Sequence, residues 1–181
     1  MFIRVFLVLA FAALLGVSRA SAFVGGGETL LMDLPEGYEV VNIENVAGLE
    51  IIYMFSEDED LSDYHESLEL FNYPFGGAEM SEYEAFYEKY EHPFCQETTT
   101  TFVRKGRENQ VEYALLKTSC VVPRAVSGLT VLTKLILGNA RTYVVSKTWM
   151  YEPDKAEMET WTKYLDGVHV CDTRVDKRGC M

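Results

Sequence analysis

The sequence predicts an α+β fold: an antiparallel β-sheet of about five to six strands flanked by helices, in a single domain with two disulfides. Three observations predict it. Two pairs of β-rich runs, at 97–119 and 129–150, each fold about a short turn-forming stretch, as hairpins do. Segments with helical spacing fall between the second and third strands and after the last one. Cys95, Cys120, Cys171 and Cys180 make an even set in a chain that carries an export leader. Hairpin-linked strands with helices set apart from them describe an α+β layer architecture.

The leader is residues 1–22. Arg4 precedes an uncharged apolar run from Val5 to Val17, and Ser18-Arg19-Ala20-Ser21-Ala22 offers small residues at Ala20 and Ala22 for cleavage. The run is shorter than the roughly 20 residues that span a bilayer. A secretory signal is therefore expected, with Phe23 as the first mature residue and a soluble periplasmic or secreted product. Residues 23–32, with Gly25-Gly26-Gly27, are expected to be a flexible start. Residues 33–170 would form the domain, and 171–181 a disulfide-closed tail.

Within the domain, Pro35-Glu36-Gly37 is a turn leading into a strand at 38–42, and the apolar run 49–55 is a buried strand. Leu61, Tyr64, Leu68 and Phe71 recur at helical spacing, with Asp60 or Ser62 available as cap. Pro74-Phe75-Gly76-Gly77 breaks that pattern. Ser81 and Glu84 then have capping-box spacing before a helix whose Tyr83, Phe86, Tyr87 and Tyr90 share one face. Such a stripe suits core packing, and it is also the candidate interaction face.

Residues 97–105 and 110–119 flank Gly106-Arg107-Glu108-Asn109. Pairing Lys105 with Gln110 puts Cys95 opposite Cys120, and opposed residues approach to about 4.5–5.5 Å between Cβ atoms, near disulfide reach. Cys171 and Cys180 then pair by elimination. Zinc is the rival reading, but no C-x-x-C occurs and the histidines are scattered. The next hairpin turns at Gly138-Asn139, with Leu137 paired to Ala140. It puts Leu129, Val131, Leu135 and Val144 on one face and Leu132, Ile136, Tyr143, Val145 and Trp149 on the other, so it should be central and covered on both sides. A final helix starts at Pro153, capped by Asp154 with Glu157, points Met158, Trp161 and Leu165 one way, and stops at Gly167.

The order Pro35-Glu36-Gly37-Tyr38, Leu49-Glu50-Ile51-Ile52-Tyr53, a helix from about Leu61, and Tyr143-Val144-Val145 before a proline-started helix with Trp161 resembles the PsbP-like family. The resemblance covers most of 33–171, in order of elements. It implies an antiparallel sheet sandwiched by helices, in proteins that tend to be accessory or binding proteins rather than enzymes. It carries no functional residue onto a position of this chain.

Charge narrows the function classes. The chain has 28 Asp and Glu against 16 Lys and Arg, a net charge of −12, and loses Arg4 and Arg19 with the leader. Such a field repels nucleic acid and anionic membrane surfaces. No G-x-S-x-G elbow, H-E-x-x-H, P-loop or dinucleotide fingerprint occurs, and disulfides would remove all four thiols as nucleophiles. Of the histidines His65, His92 and His169, His65 is read as a solvated residue and His169 as packing at the base of the terminal loop. Asp58, Asp60, Ser62 and Glu69 match EF-hand positions 1, 3, 5 and 12, but Asp63 stands where the loop needs glycine. A weak, open Ca²⁺ site at Glu57, Asp58 and Asp60 is the metal candidate; no other cofactor and no catalytic residue is assigned. The expectation is an exported, non-enzymatic accessory or protein-interaction domain of the cell envelope, with a protein partner. The alternative is a small-ligand or weak Ca²⁺-binding module using a helix–sheet cleft or the acidic turn. A large apolar pocket favours the second, a flat exposed aromatic patch the first.

Overall fold

Ten strands and two helices follow one another in the computed structural model, which describes residues 23–25, 27–59, 64–91, 95–121, 128–175 and 180. The expected leader, residues 1–22, lies outside the described residues. The strands are β1 (Phe23–Gly25), β2 (Glu28–Leu31), β3 (Tyr38–Val46), β4 (Leu49–Ser56), β5 (Glu66–Tyr73), β6 (Glu97–Glu108), β7 (Val111–Val121), β8 (Leu129–Leu137), β9 (Thr142–Trp149) and β10 (His169–Asp172). Helix α1 (Met80–Tyr87) follows β5, and α2 (Lys155–Gly167) follows β9. Seven strands form one antiparallel sheet in the order β3-β4-β5-β9-β8-β7-β6, and β1-β2-β10 form a three-stranded sheet. The α+β class holds, but the main sheet is larger than the five to six strands expected.

The largest correction is at β5. Leu61, Tyr64, Leu68 and Phe71 suggested a helix, yet 66–73 is a strand seated between β4 and β9; Leu61 and its cap candidates Asp60 and Ser62 lie outside the described residues. Period two wins because both faces of this strand have work: Leu68 and Leu70 are fully buried on one, while Ser67, Glu69, Phe71 and Tyr73 alternate onto the other. The loose start also differs from expectation. Residues 28–31 form β2, with Leu30 fully buried and β10 paired alongside it.

Tight turns set the hairpins. Ala47 and Gly48 both take positive φ between β3 and β4, as do Asn109 and Gln110 between β6 and β7, the combination that two-residue turns matching strand twist require. The second turn therefore falls at 109–110 rather than 106–109, and Glu108 pairs with Val111. Gly106 stays inside β6 because the Tyr113 ring occupies the place of its side chain: a Cβ there would lie 2.9 Å from that ring. A register slip near Val103 then brings Thr98, not Cys95, opposite Cys120. The Cys95–Cys120 disulfide forms nevertheless, from the segment before β6, with Cα atoms 5.5 Å apart. Cys171–Cys180 forms as well. In the β8–β9 hairpin Leu137 pairs with Thr142 rather than Ala140, a shift of two, which leaves every side chain on its expected face.

One face of the main sheet, face A, carries the larger core. Tyr38, Ile52, Met54, Leu68, Leu70, Leu132, Tyr143, Val145 and Trp149 pack there against Leu165, with Met158, Trp161 and Tyr164 of α2 alongside. The Asp154–Glu157 capping box that starts α2 is formed in both directions. Lys147 is buried in this face, its Nζ 4.5 Å from the Trp161 ring centre and 2.6 Å from the Tyr38 hydroxyl, paired with Glu66. The small sheet closes the same core and is tied to the β8–β9 loop by fully buried Glu28, which accepts from Ala140 and Arg141 N–H at 2.9 and 3.1 Å. Gly138 permits this approach, since a Cβ would stand 2.3 Å from the Glu28 carboxylate.

The two disulfides should differ in worth. On the loop-entropy model, closing about 26 residues contributes about 3.5 kcal/mol and closing about 10 contributes about 2.7 kcal/mol. Cys95→Ser with Cys120→Ser should therefore lower Tm more than Cys171→Ser with Cys180→Ser, measured by calorimetry on both double variants. Equal losses would show that loop length does not govern their effect.

Candidate functional site

The second face of the main sheet, face B, has much less cover. Register places Tyr53, Glu69, Ser146, Thr133, Leu116 and Phe102 in one row across six strands. The next row runs through Ser67, Thr148, Val131, Thr118 and Thr100. Helix α1 is only eight residues long and sits over one end of this face, where Met80, Tyr83 and Tyr87 pack on Ala114, Leu116, Leu135 and Leu137. Lys105 holds it there through Glu84 at 2.6 Å. The predicted Ser81–Glu84 box does not form: the N-cap is Glu79 without a side-chain cap bond, and the Ser81 hydroxyl donates to Glu79 instead.

Between α1 and the uncovered floor runs a groove of about 1150 Å³. One wall is aromatic: Tyr83, Phe86, Tyr87 and Tyr90, joined by Tyr73 and Phe75 from the end of β5. Their rings contact one another, with Phe86 at 5.2 Å from Tyr87 and 5.4 Å from Tyr90, and Tyr73 at 5.4 Å from Phe75. The floor combines Leu129, Val131 and Val144 with a band of small hydroxyls at Thr118, Thr133, Ser146 and Thr148. These hydroxyls are partly self-paired: Thr133 bonds Ser146 at 3.0 Å, and Thr118 bonds Thr100 at 3.0 Å. Burial pushes the Tyr87 phenol up to about 12 and raises that of Tyr73, as expected where a hydroxyl is held against an apolar surface.

Glu69 is the exception on this floor. It projects from the middle of β5 and lines the groove, partly buried. The Ser67 hydroxyl donates to its Oε1 at 2.9 Å. Burial raises its carboxyl above the ordinary glutamate range, and the Ser67 bond offsets only part of that. Among the described residues lining the groove there is no lysine, arginine or histidine.

The candidates named from sequence separate. Tyr83, Phe86, Tyr87 and Tyr90 come together as the groove wall. Glu57 and Asp58 lie in the turn after β4, where Glu57 N–H donates to Gly37 and Asp58 N–H to the Ser56 hydroxyl. Asp60 lies outside the described residues, and among those described no group of three metal-ligating side chains forms. All four cysteines are in disulfides. His65 lies beside Glu59 at 3.6 Å, and the His169 ring contacts the Gly167 carbonyl; His92 is outside the described residues. Glu69, Tyr64, Tyr73 and the hydroxyl band were not legible as a site. The available signal was a lone carboxylate between Leu68 and Leu70, in line with Phe71 and Tyr73 only if the segment is a strand.

The arrangement defines an α+β domain of PsbP-like fold, with one sheet face covered by α2 and the other carrying a groove. No family model matches the chain, and no curated protein does. Among solved structures it is similar to cyanobacterial PsbP (CyanoP) from Synechocystis sp. PCC 6803, with 12% identity, 90% of this chain and 99% of that one covered, and a TM-score of 0.55. It is also similar to LpqN, involved in cell envelope biogenesis of Mycobacterium tuberculosis, with 11% identity, 84% and 89% covered, and a TM-score of 0.45. The likeness to CyanoP establishes the fold. Two disulfides accord with folding in an oxidising, extracytoplasmic compartment. No helix among the described residues is long and apolar enough to cross a membrane.

A carboxylate held in a groove without a cation among the described residues should cost the protein stability. Because the folded pKa lies above the unfolded one, stability falls as pH rises through that window, and the penalty is complete above it. Glu69→Gln should therefore raise Tm at pH 7, by about 2–4 °C for each kcal/mol relieved. The gain should vanish as pH falls below the unfolded value near 4.5. Thermal melts of both proteins across pH 4–8 check this; a gain that persists unchanged into acid would assign it to another cause.

Proposed function

We propose that this protein is an exported, non-enzymatic accessory domain that holds an apolar ligand in the groove between α1 and face B of the sheet. The observation that carries the reading is the groove itself: about 1150 Å³, walled by aromatic rings and floored by aliphatic and hydroxyl side chains. Small-molecule sites are typically concave, mostly apolar and about 300–1,000 Å³, with a few placed polar groups. A flat aromatic patch, the mark of a protein-docking surface, is not what α1 presents. Its three aromatic residues, with Tyr90 just beyond its end, line a concavity, and Phe86 alone among them is mostly exposed. The leader and the disulfides support an extracytoplasmic site of action.

Titration with an uncharged apolar fluorophore such as N-phenylnaphthylamine tests the proposal. Saturable one-to-one binding with a blue-shifted emission is expected. Val131→Trp, which fills the middle of the floor, should weaken it at least ten-fold while the melting transition stays cooperative. Binding that ignores this substitution would place the apolar site elsewhere.

A further inference from the structure

The groove selects its ligand by charge as well as by apolarity. Two carboxylates line it, Glu69 on the floor and Glu82 on α1, and the described lining holds no basic side chain to answer them. Glu69 differs from the other acids of this acidic chain in where it sits. Its neighbours across the strands are Tyr53 and Ser146, and Phe71 follows it on the same face. Tyr64 also lines the groove, its ring 4.9 Å from that of Phe55, two residues beyond Tyr53 on β4. Aromatic faces attract cations through their quadrupole, and a carboxylate in a partly desolvated setting does so far more strongly than one in water. Among the described residues the Ser67 hydroxyl is the hydrogen-bond donor to this carboxylate, at Oε1.

The covered face shows the same design already filled. There Glu66, Tyr38, Trp149 and Trp161 surround the ammonium group of Lys147, which lies 5.1, 5.4 and 4.5 Å from the three ring centres. Glu66 and Glu69 lie three residues apart on the same strand and so face opposite sides of the sheet. Face A supplies its carboxylate with a cation from the chain; face B supplies its own with none from the described residues.

Resting on the groove as a ligand site, we infer that its ligand is an amphiphile with a cationic head, an ammonium or guanidinium group placed on Glu69 and an apolar body laid along the aromatic wall. The hydroxyl band beside Glu69 gives the head further acceptors, at Ser146, Thr148 and Thr133. An anionic amphiphile meets the Glu69 carboxylate and is disfavoured. Glu82 lies at the exposed rim and contributes little.

Calorimetric titration with octylammonium, octanol and octanoate, three probes of one chain length, separates the terms. At pH 7 and 0.15 M salt, long-range attraction to the net charge is screened beyond about 8 Å. Octylammonium should bind at least ten-fold more tightly than octanol, and octanoate more weakly than either. Glu69→Gln should bring octylammonium to the level of octanol and leave octanol within two-fold. Equal binding of octylammonium and octanol by the parent protein would overturn the charge selection but keep the apolar groove. A preference for ammonium that survives Glu69→Gln would likewise overturn the role of Glu69. Binding of none of the three would overturn both the selection and the groove as a ligand site.

Discussion

An antiparallel sheet of seven strands has two faces, and each apolar face must be covered by another layer. The chain has one long helix and one short one for this task. Helix α2, capped at both its polar groups by Asp154 and Glu157, spans face A with Met158, Trp161 and Leu165. The three-stranded sheet closes the rest of that face through Leu30 and Val170, with Val168 at the end of α2 beside them. Helix α1 covers only the Ala114–Leu137 end of face B. Among the described elements, the groove follows from this shortage of cover. Its floor then reflects what strands present when no helix lies on them: Thr and Ser among Val and Leu, stable in a sheet and tolerable to water.

Face A also contains two lysines that are almost wholly inaccessible. Lys147 is held by Glu66, Tyr38 and three aromatic rings, and burial lowers its pKa even so. Glu66 stays below the usual glutamate range despite burial, because Lys147, Tyr151 and Tyr38 all donate to it. Lys134 meets Glu108 at 2.9 Å and the Val168 carbonyl at 2.6 Å. Each pair joins elements distant in sequence: β9 to β5, and β8 to both β6 and the end of α2. Buried pairs of this kind are weak sources of net stability, since desolvation offsets much of the attraction. Here they fix which strand and which helix end lie beside each other. Misplacing either would leave a charge in the core unanswered.

Glu69 is the counterexample within the same sheet. It occupies a central strand, where an apolar or hydroxyl residue would satisfy the row of Ser146 and Thr133 more cheaply. Retaining a carboxylate there is expected to weaken the protein, and such local losses concentrate where a protein meets a ligand. The contrast with Glu66, three residues away and fully partnered, makes the point on one strand.

Much of this protein was legible in its sequence. The β8 strand, the faces of the β8–β9 hairpin, the capping of α2 and both disulfides all rest on local chemistry: side-chain period, turn residues and cap residues; the PsbP-like resemblance held at fold level although 66–73, read there as helical, is strand β5. Errors of register did not disturb the hairpin faces, because a slip of two returns each side chain to the same side. The segment 66–73 was not legible. Leu68 with Phe71 fits a helical turn, and Leu68 with Leu70 fits a strand; neighbours β4 and β9, far away in the chain, decided between them by offering two ladders and two apolar faces. The aromatic stripe of α1 could be read from its spacing, but whether it faces a packed core or an open groove depends on how far the helix reaches across the sheet. Sequence by itself determined the periods, the turns and the covalent closure, which are properties of near neighbours. The groove and Glu69's place in it were decided only by tertiary structure, because both are set by strand order, which joins residues the chain keeps apart.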